Sequence, residues 1–117
     1  MQLFDESYVQ DRTARWEKAI DKGFADVVEN LTYKGLYART VLEPKVRQLC
    51  AISGLTVLNA LPQLKAHIKV ALRVGATEAE VKEAIIQMLT YCGMPYVMQA
   101  YVAFREVMRE RNNSEKQ

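Results

Sequence analysis

Residues 61–85, LPQLKAHIKVALRVGATEAEVKEAI, hold the one histidine of the chain, His67. An imidazole is the side chain best suited to moving a proton near neutral pH, and it also ligates metals. On a helix turning about 100° per residue, Lys65, Lys69 and Arg73 cluster on a side that must face water. His67 points the other way, close in angle to Ala60, Gln63, Leu64, Ala71 and Val74, with Gln63 and Ala71 one turn away. Small neighbours beside a polar ring leave space, which a close-packed interior either fills from a facing helix or keeps as a pocket. The same placement also suits a histidine that merely satisfies a carbonyl or hydroxyl. A metal site is not expected, because Ala71 takes the i+4 slot and no second histidine or carboxylate stands at ligating spacing.

The other polar candidates each carry two readings. Arg47 lies in a largely apolar helix, either as a structural ion pair or as an anion clamp, with Lys45 solvated beside it. Tyr91 and Tyr96 flank the Gly93-Met94-Pro95 turn and either bury their rings or lend hydroxyls. Tyr37, with Tyr33, makes the connector after the first helix aromatic enough to pack on something. Cys92 reads as a small core residue or a ligand contact. Met88, Met94, Met98 and Met108 recur at helical spacing, as core or interface. Cys50 and Cys92 stand in neither a CxxC nor a zinc-finger spacing, which predicts free thiols in a reducing, cytoplasmic compartment.

These side chains must be positioned by helices. Val9, Trp16, Ile20, Phe24, Val27 and Leu31 recur every three to four residues and predict a helix from Asp5 to Asn30, weakened but not broken at Gly23. Gly35 and Pro44 mark irregular backbone in the connector LTYKGLYARTVLEP. A second helix, from Pro44 to Asn59, is apolar nearly all round and should be central. A third runs from Pro62 to a left-handed cap at Gly75. Thr77 and Glu80 form a capping box for a fourth, Glu78 to about Tyr91, with Val81, Ile85, Met88, Leu89 and Cys92 as its buried stripe. A fifth runs from about Pro95 to Arg109 on Met94, Val97, Met98, Tyr101, Phe104 and Met108, and the polar end RERNNSEKQ frays. The expected fold is all-α, a single-domain bundle of about five to six helices over residues 1–112, with 113–117 as a polar tail.

Composition excludes more than it selects. A net charge of +2 from 16 basic and 14 acidic residues, well interspersed, argues against nucleic acid or a membrane surface as partner. No run of about 20 apolar residues exists to span a bilayer, and MQLFDESYVQDRTARW lacks the apolar core of a signal peptide. KVALRVGATEAEVKEAI does hold two short helices around a glycine, as a DNA-reading helix-turn-helix would. Its second helix, however, opens on Thr77, Glu78, Ala79 and Glu80, whose carboxylates would repel phosphate.

Arg47, His67, Ala71-Leu72, Gly75, Thr77, Glu80 and Tyr91-Cys92-Gly93 with Pro95 form an ordered set over about half the chain. In this set the chain resembles the carboxymuconolactone decarboxylase family. The resemblance implies an alkylhydroperoxidase D-like helical subunit that assembles as a homohexamer or homotrimer, with a pocket by the histidine near a subunit interface. In the redox branch of that family two cysteines and a glutamate precede the histidine, and the matching positions here are Ala60, Gln63 and Gln48. Thiol peroxidase chemistry is therefore disfavoured, since it needs a thiolate to attack and a second to regenerate it.

The decarboxylase branch uses no cofactor, because the unsaturated lactone is its own electron sink. The resemblance then implies a lyase or isomerase of aromatic compound catabolism, acting on a small carboxylated lactone or enolisable acid. His67 would be the acid–base group, Arg47 the anion-binding group, and Tyr37, Tyr91 or Tyr96, with Cys92 nearby, would line the substrate. Gln63 stands where that branch usually has glutamate, and an amide neither carries a proton nor charges its neighbour. A catalytically silent hexamer that binds a ligand or serves as scaffold is the alternative.

Overall fold

The computed structural model describes residues 14, 15 and 17–115. From Lys22 onward the chain forms six α-helices: α1 (Lys22–Val28), α2 (Pro44–Leu58), α3 (Leu61–Arg73), α4 (Glu78–Ile86), α5 (Leu89–Cys92) and α6 (Met94–Glu115). No strand occurs among the described residues, so the class is all-α as expected. No helix among them is long and apolar enough to cross a membrane. The chain divides after Pro44 into two compact units.

In the first unit the expected long helix is interrupted at Ile20 and Asp21, two residues before Gly23. Asp21 is extended, and its carboxylate accepts from the Phe24 amide at 2.8 Å, so it caps a new helix instead of continuing the old one. The expectations for Val9 and Trp16 fall outside the described residues. Ile20, Phe24, Val27 and Leu31, expected as a buried stripe, are all exposed, while Ala25 is buried. Beyond α1 a π-turn over Glu29–Tyr33 closes with the Lys34 amide on the Glu29 carbonyl, and the Thr32 hydroxyl donates to the Val28 carbonyl. Gly35 is required here, because a Cβ would stand 2.5 Å from the Asn30 carbonyl oxygen. A 3₁₀ turn, Leu36–Ala38, follows, and Tyr37 stacks on Tyr33 with ring centroids 6.4 Å apart.

The second unit is organised by its caps. The capping box at Thr77 forms in both directions, with Glu80 N–H on Thr77 Oγ1 (3.1 Å) and Thr77 N–H on Glu80 Oε1 (2.9 Å). Gly75 ends α3 with φ +104°, a conformation that costs an L side chain, and the Ala76 amide closes back on the Ala71 carbonyl. The core joins Ile52 of α2, Leu64, Ile68 and Ala71 of α3, Val81, Ala84 and Ile85 of α4, and Val97, Ala100, Ala103, Phe104 and Val107 of α6.

Four expectations change. The inward face of α6 is the Val97–Ala100–Ala103–Phe104–Val107 row, whose alanines let the helices approach closely, and Met94, Met98 and Tyr101 are exposed. The same helix continues to Glu115 instead of fraying after Arg109. The basic side of α3 does not face water alone, since Lys65 pairs with Glu106 (3.0 Å) and Lys69 with Glu110 (3.0 Å) on α6. Lys45, expected to be solvated, pairs with Glu80 at 3.1 Å.

The remaining difference lies in α2 and α4. Beside Ile52, α2 buries the polar Gln48, Ser53 and Thr56, and Val46, Cys50 and Leu58 are exposed, Leu58 to 74%. It is not the all-round buried helix its composition suggests, because polar side chains that find partners can be buried while apolar ones remain outside. Thr56 donates to its own helix at the Ile52 carbonyl (2.8 Å), and Ser53 Oγ donates across to the Ala84 carbonyl (2.8 Å). That carbonyl would ordinarily receive the Met88 amide, which turns instead to the Ile85 carbonyl at 3.1 Å. The hydroxyl of Ser53 thus enters the ladder of α4, and the single helix expected to Tyr91 becomes α4 and α5. Gln87 Nε2 adds a 3.2 Å bond to the same Ser53 oxygen.

Candidate functional site

His67 lies on α3 between the fully buried Leu64, Ile68 and Ala71 and the exposed Gln63, so the ring is half-buried at the margin of the core. Its Nδ1 is 2.7 Å from Oε1 of Gln48, nineteen residues earlier on α2. An amide oxygen only accepts, so Nδ1–H is the donor and the neutral ring carries its lone pair on Nε2. Gln48 itself is 0% exposed, one turn of α2 before the equally buried Ile52. It is placed by helix geometry: Gln48, Ile52 and Thr56 recur four residues apart and share the inward face.

The amide is only half used. Gln48 Nε2 is the buried side-chain nitrogen or oxygen among the described residues that has no hydrogen-bond partner. Leaving such a donor unmet costs about 1–3 kcal/mol. No group of three or more histidine, cysteine, aspartate or glutamate side chains that would hold a metal occurs among the described residues.

The other candidates stand as follows. Arg47, next to Gln48, is half-buried. Gln63 is exposed on the solvent side of the imidazole row, and the amide that meets the ring is that of Gln48. Tyr91 is 77% exposed, and Tyr96 is exposed beyond the α5–α6 junction. Cys92 is half-buried against the core, with Sγ donating to the Met88 carbonyl at 3.3 Å. Tyr37 belongs to the first unit, stacked on Tyr33.

Gln48 is the residue that sequence reasoning passed over as a site residue, noting it only as the position where the redox branch has glutamate. The available signal was a glutamine inside the apolar run Val46–Ile52. Periodicity places it on a face of α2 but does not say which residue of α3 it meets.

Residues 22–106 match the carboxymuconolactone decarboxylase family, and the chain belongs to it. It is similar to an uncharacterized 15.0 kDa protein in the nqo9-nqo10 intergenic region of Paracoccus denitrificans, 34% identical over 98 residues, covering 82% of this chain and 72% of that one. It is also similar to the nitrosuccinic acid decarboxylase npaB of Metarhizium robertsii, 24% identical over 85 residues, covering 73% of this chain and 59% of that protein. Family and fold agree with what the motif around His67 implies.

Proposed function

We propose that this chain is a cofactor-independent decarboxylase of a small acid that carries its own electron sink, either a carboxylated lactone or a related enolisable acid. The observation that supports the reading is the 2.7 Å bond between His67 Nδ1 and Gln48 Oε1, which fixes the ring at the margin of the core; in this reading Nε2 is the reacting nitrogen. The C–C bond to a carboxylate breaks, carbon dioxide leaves, and the electron pair passes into a conjugated carbonyl. In the acid named for the fungal relative, a nitro group can take the same role. His67 in its protonated form then delivers a proton from Nε2 to the carbon.

Arg47 is the proposed carboxylate clamp, and Gln63 a hydrogen-bond donor at the solvent side. Tyr91 and Tyr96 are the proposed hydroxyl donors, with Cys92 against the substrate. The reading includes a homohexamer or homotrimer, because Met94, Met98, Tyr101 and Val102 form a second, exposed apolar side of α6. It places the protein in the cytoplasm, where free thiols persist, with a role in the breakdown of aromatic or related acids.

The test is carbon dioxide release by the purified protein from γ-carboxymuconolactone and from nitrosuccinate. His67→Ala is expected to lower turnover about 10²- to 10⁴-fold while sedimentation still shows the same assembly. Equal rates in the variant and the parent would refute the assignment. The silent, ligand-binding alternative is favoured by amides at both Gln48 and Gln63, and it predicts a saturable acid that is never decarboxylated.

A further inference from the structure

Gly54 has no reason to be glycine within its own chain. It lies in the interior of α2, where glycine is destabilising relative to alanine. Its backbone is not left-handed, since the positive-φ glycines among the described residues are Gly75 and Gly93. Nor is it crowded, because beyond its own helix a Cβ there would meet nothing within 4 Å. The remaining ground for glycine is the close approach of another backbone, one that this chain does not supply.

Gly54 also belongs to a row. Val46, Cys50, Gly54 and Leu58 recur four residues apart on the side of α2 opposite Gln48, Ile52 and Thr56, and all four are exposed. Rows of this spacing are the ridges by which helices most often pack. This one is uncharged and symmetric about its midpoint, with a small residue on either side and a branched apolar one at each end. A two-fold axis through the midpoint sets Gly54 against Cys50 of a second copy and Leu58 against Val46 of that copy. The charges fit the same arrangement. Lys45 and Arg47, the charged residues of α2, both stand at its N-terminal end, where the helix dipole disfavours cations. An antiparallel pair brings each of those ends beside the C-terminal carbonyls of the other helix, where cations are favoured.

We propose that the outward face of α2 is a contact with a second copy of this chain, an antiparallel crossing centred between Cys50 and Gly54. Each glycine receives the Cys50 side chain of the other copy. A contact of this kind pairs a surface with itself, so a closed assembly that contains it has an even number of chains. It selects the hexamer over the trimer, and it rests on the self-association in the reading above but not on the reaction.

The test is sedimentation of the full chain over a range of concentrations, followed by cross-linking. The parent is expected to form an even-numbered assembly. Gly54→Leu is expected to unfold at no lower urea concentration once both proteins are diluted to single chains, yet to associate through α2 about tenfold more weakly or worse. Gly54→Cys, oxidised with diamide, is expected to give covalent dimers, with peptide mapping placing the bond between the introduced thiol and Cys50 of the other copy. Adding Cys50→Ser to that variant is expected to abolish them. A Gly54→Leu assembly as tight as the parent's, or covalent dimers indifferent to Cys50→Ser, overturns the inference and leaves the exposed side of α6 as the interface. An odd-numbered parent does the same, whereas a monomeric parent removes the oligomeric reading altogether. None of these results bears on carbon dioxide release, which tests the reaction separately.

Discussion

Helix α3 meets α6 and α2 through contacts built from opposite materials. Toward α6 it presents Leu64, Ile68 and Ala71, packed in one core with Ala100, Ala103, Phe104 and Val107. Ion pairs from Lys65 and Lys69 to Glu106 and Glu110 close the rim of that contact. Toward α2 it presents His67, met by a buried amide half of whose hydrogen-bonding capacity is unmet. The apolar contact is non-directional and supplies stability in proportion to area. The polar contact fixes one atom against another, and its unmet donor subtracts from stability. Stability and chemistry are therefore drawn from different sides of one helix, and mutations on the two sides should separate the two properties.

The largest separation is expected between His67→Ala, whose loss falls on turnover, and Ile68→Ala, one residue along. The latter deletes a fully buried side chain and should cost about 2–5 kcal/mol of unfolding free energy by urea titration. Comparable stability loss in both variants would erase the contrast. Ser53→Ala comes next. It removes the hydroxyl that occupies the Ala84 carbonyl and lets the Met88 amide return to it, so α4 can extend toward α5. The expected cost is about 1 kcal/mol, since one hydrogen bond is exchanged for another and Gln87 loses a partner. A drop of several kcal/mol would mean that the kink holds far more of the fold than one bond.

The smallest effect belongs to the charged rim. Glu110 lies below its ordinary value of 4.5 because Lys69, and then Lys65, donate to it, and Glu80 does so chiefly through the Thr77 amide, then Lys45. A lowered carboxylate stabilises the fold above its unfolded value and loses that contribution as pH falls through the folded one. Lys65 is raised above 10.5, first by Glu106, so its share is present below that value and lost as pH rises beyond it. Lys69→Met should therefore melt slightly below the parent at neutral pH and low salt, with the two curves converging below the carboxylate range and at high salt. A gap that persists in acid would assign the effect to packing of the lysine stem instead.

Much of this arrangement could be read directly from local residues. Thr77 with Glu80, Gly75 before Ala76, and Pro44 ahead of an apolar run all act within a turn or two, and the helices begin and end close to where they indicate. The family motif around His67 was equally legible, because it is an ordered string of residue types. Less legible were the contacts between segments. Met94 and Met98 looked as suitable for burial as Ala100 and Ala103, and only a close approach to α3 makes alanine the better fit. Asp21 was a capping residue overlooked within a continuous apolar rhythm, and its carboxylate, not the nearby Gly23, interrupts the helix.

The sequence by itself therefore determined the class of fold, the helix boundaries at Pro44, Gly75 and Thr77, and the family, since hydrophobic period, caps and motif order all operate between residues near one another in the chain. The tertiary structure decided which glutamine meets the imidazole, choosing Gln48 over Gln63, which side of α6 is buried, and where α4 stops. The first and last of these depend on groups 19 and 31 residues apart reaching hydrogen-bond distance. Such meetings are set by how packed helices lie against one another, and the periodicity of a single helix carries no record of its neighbour.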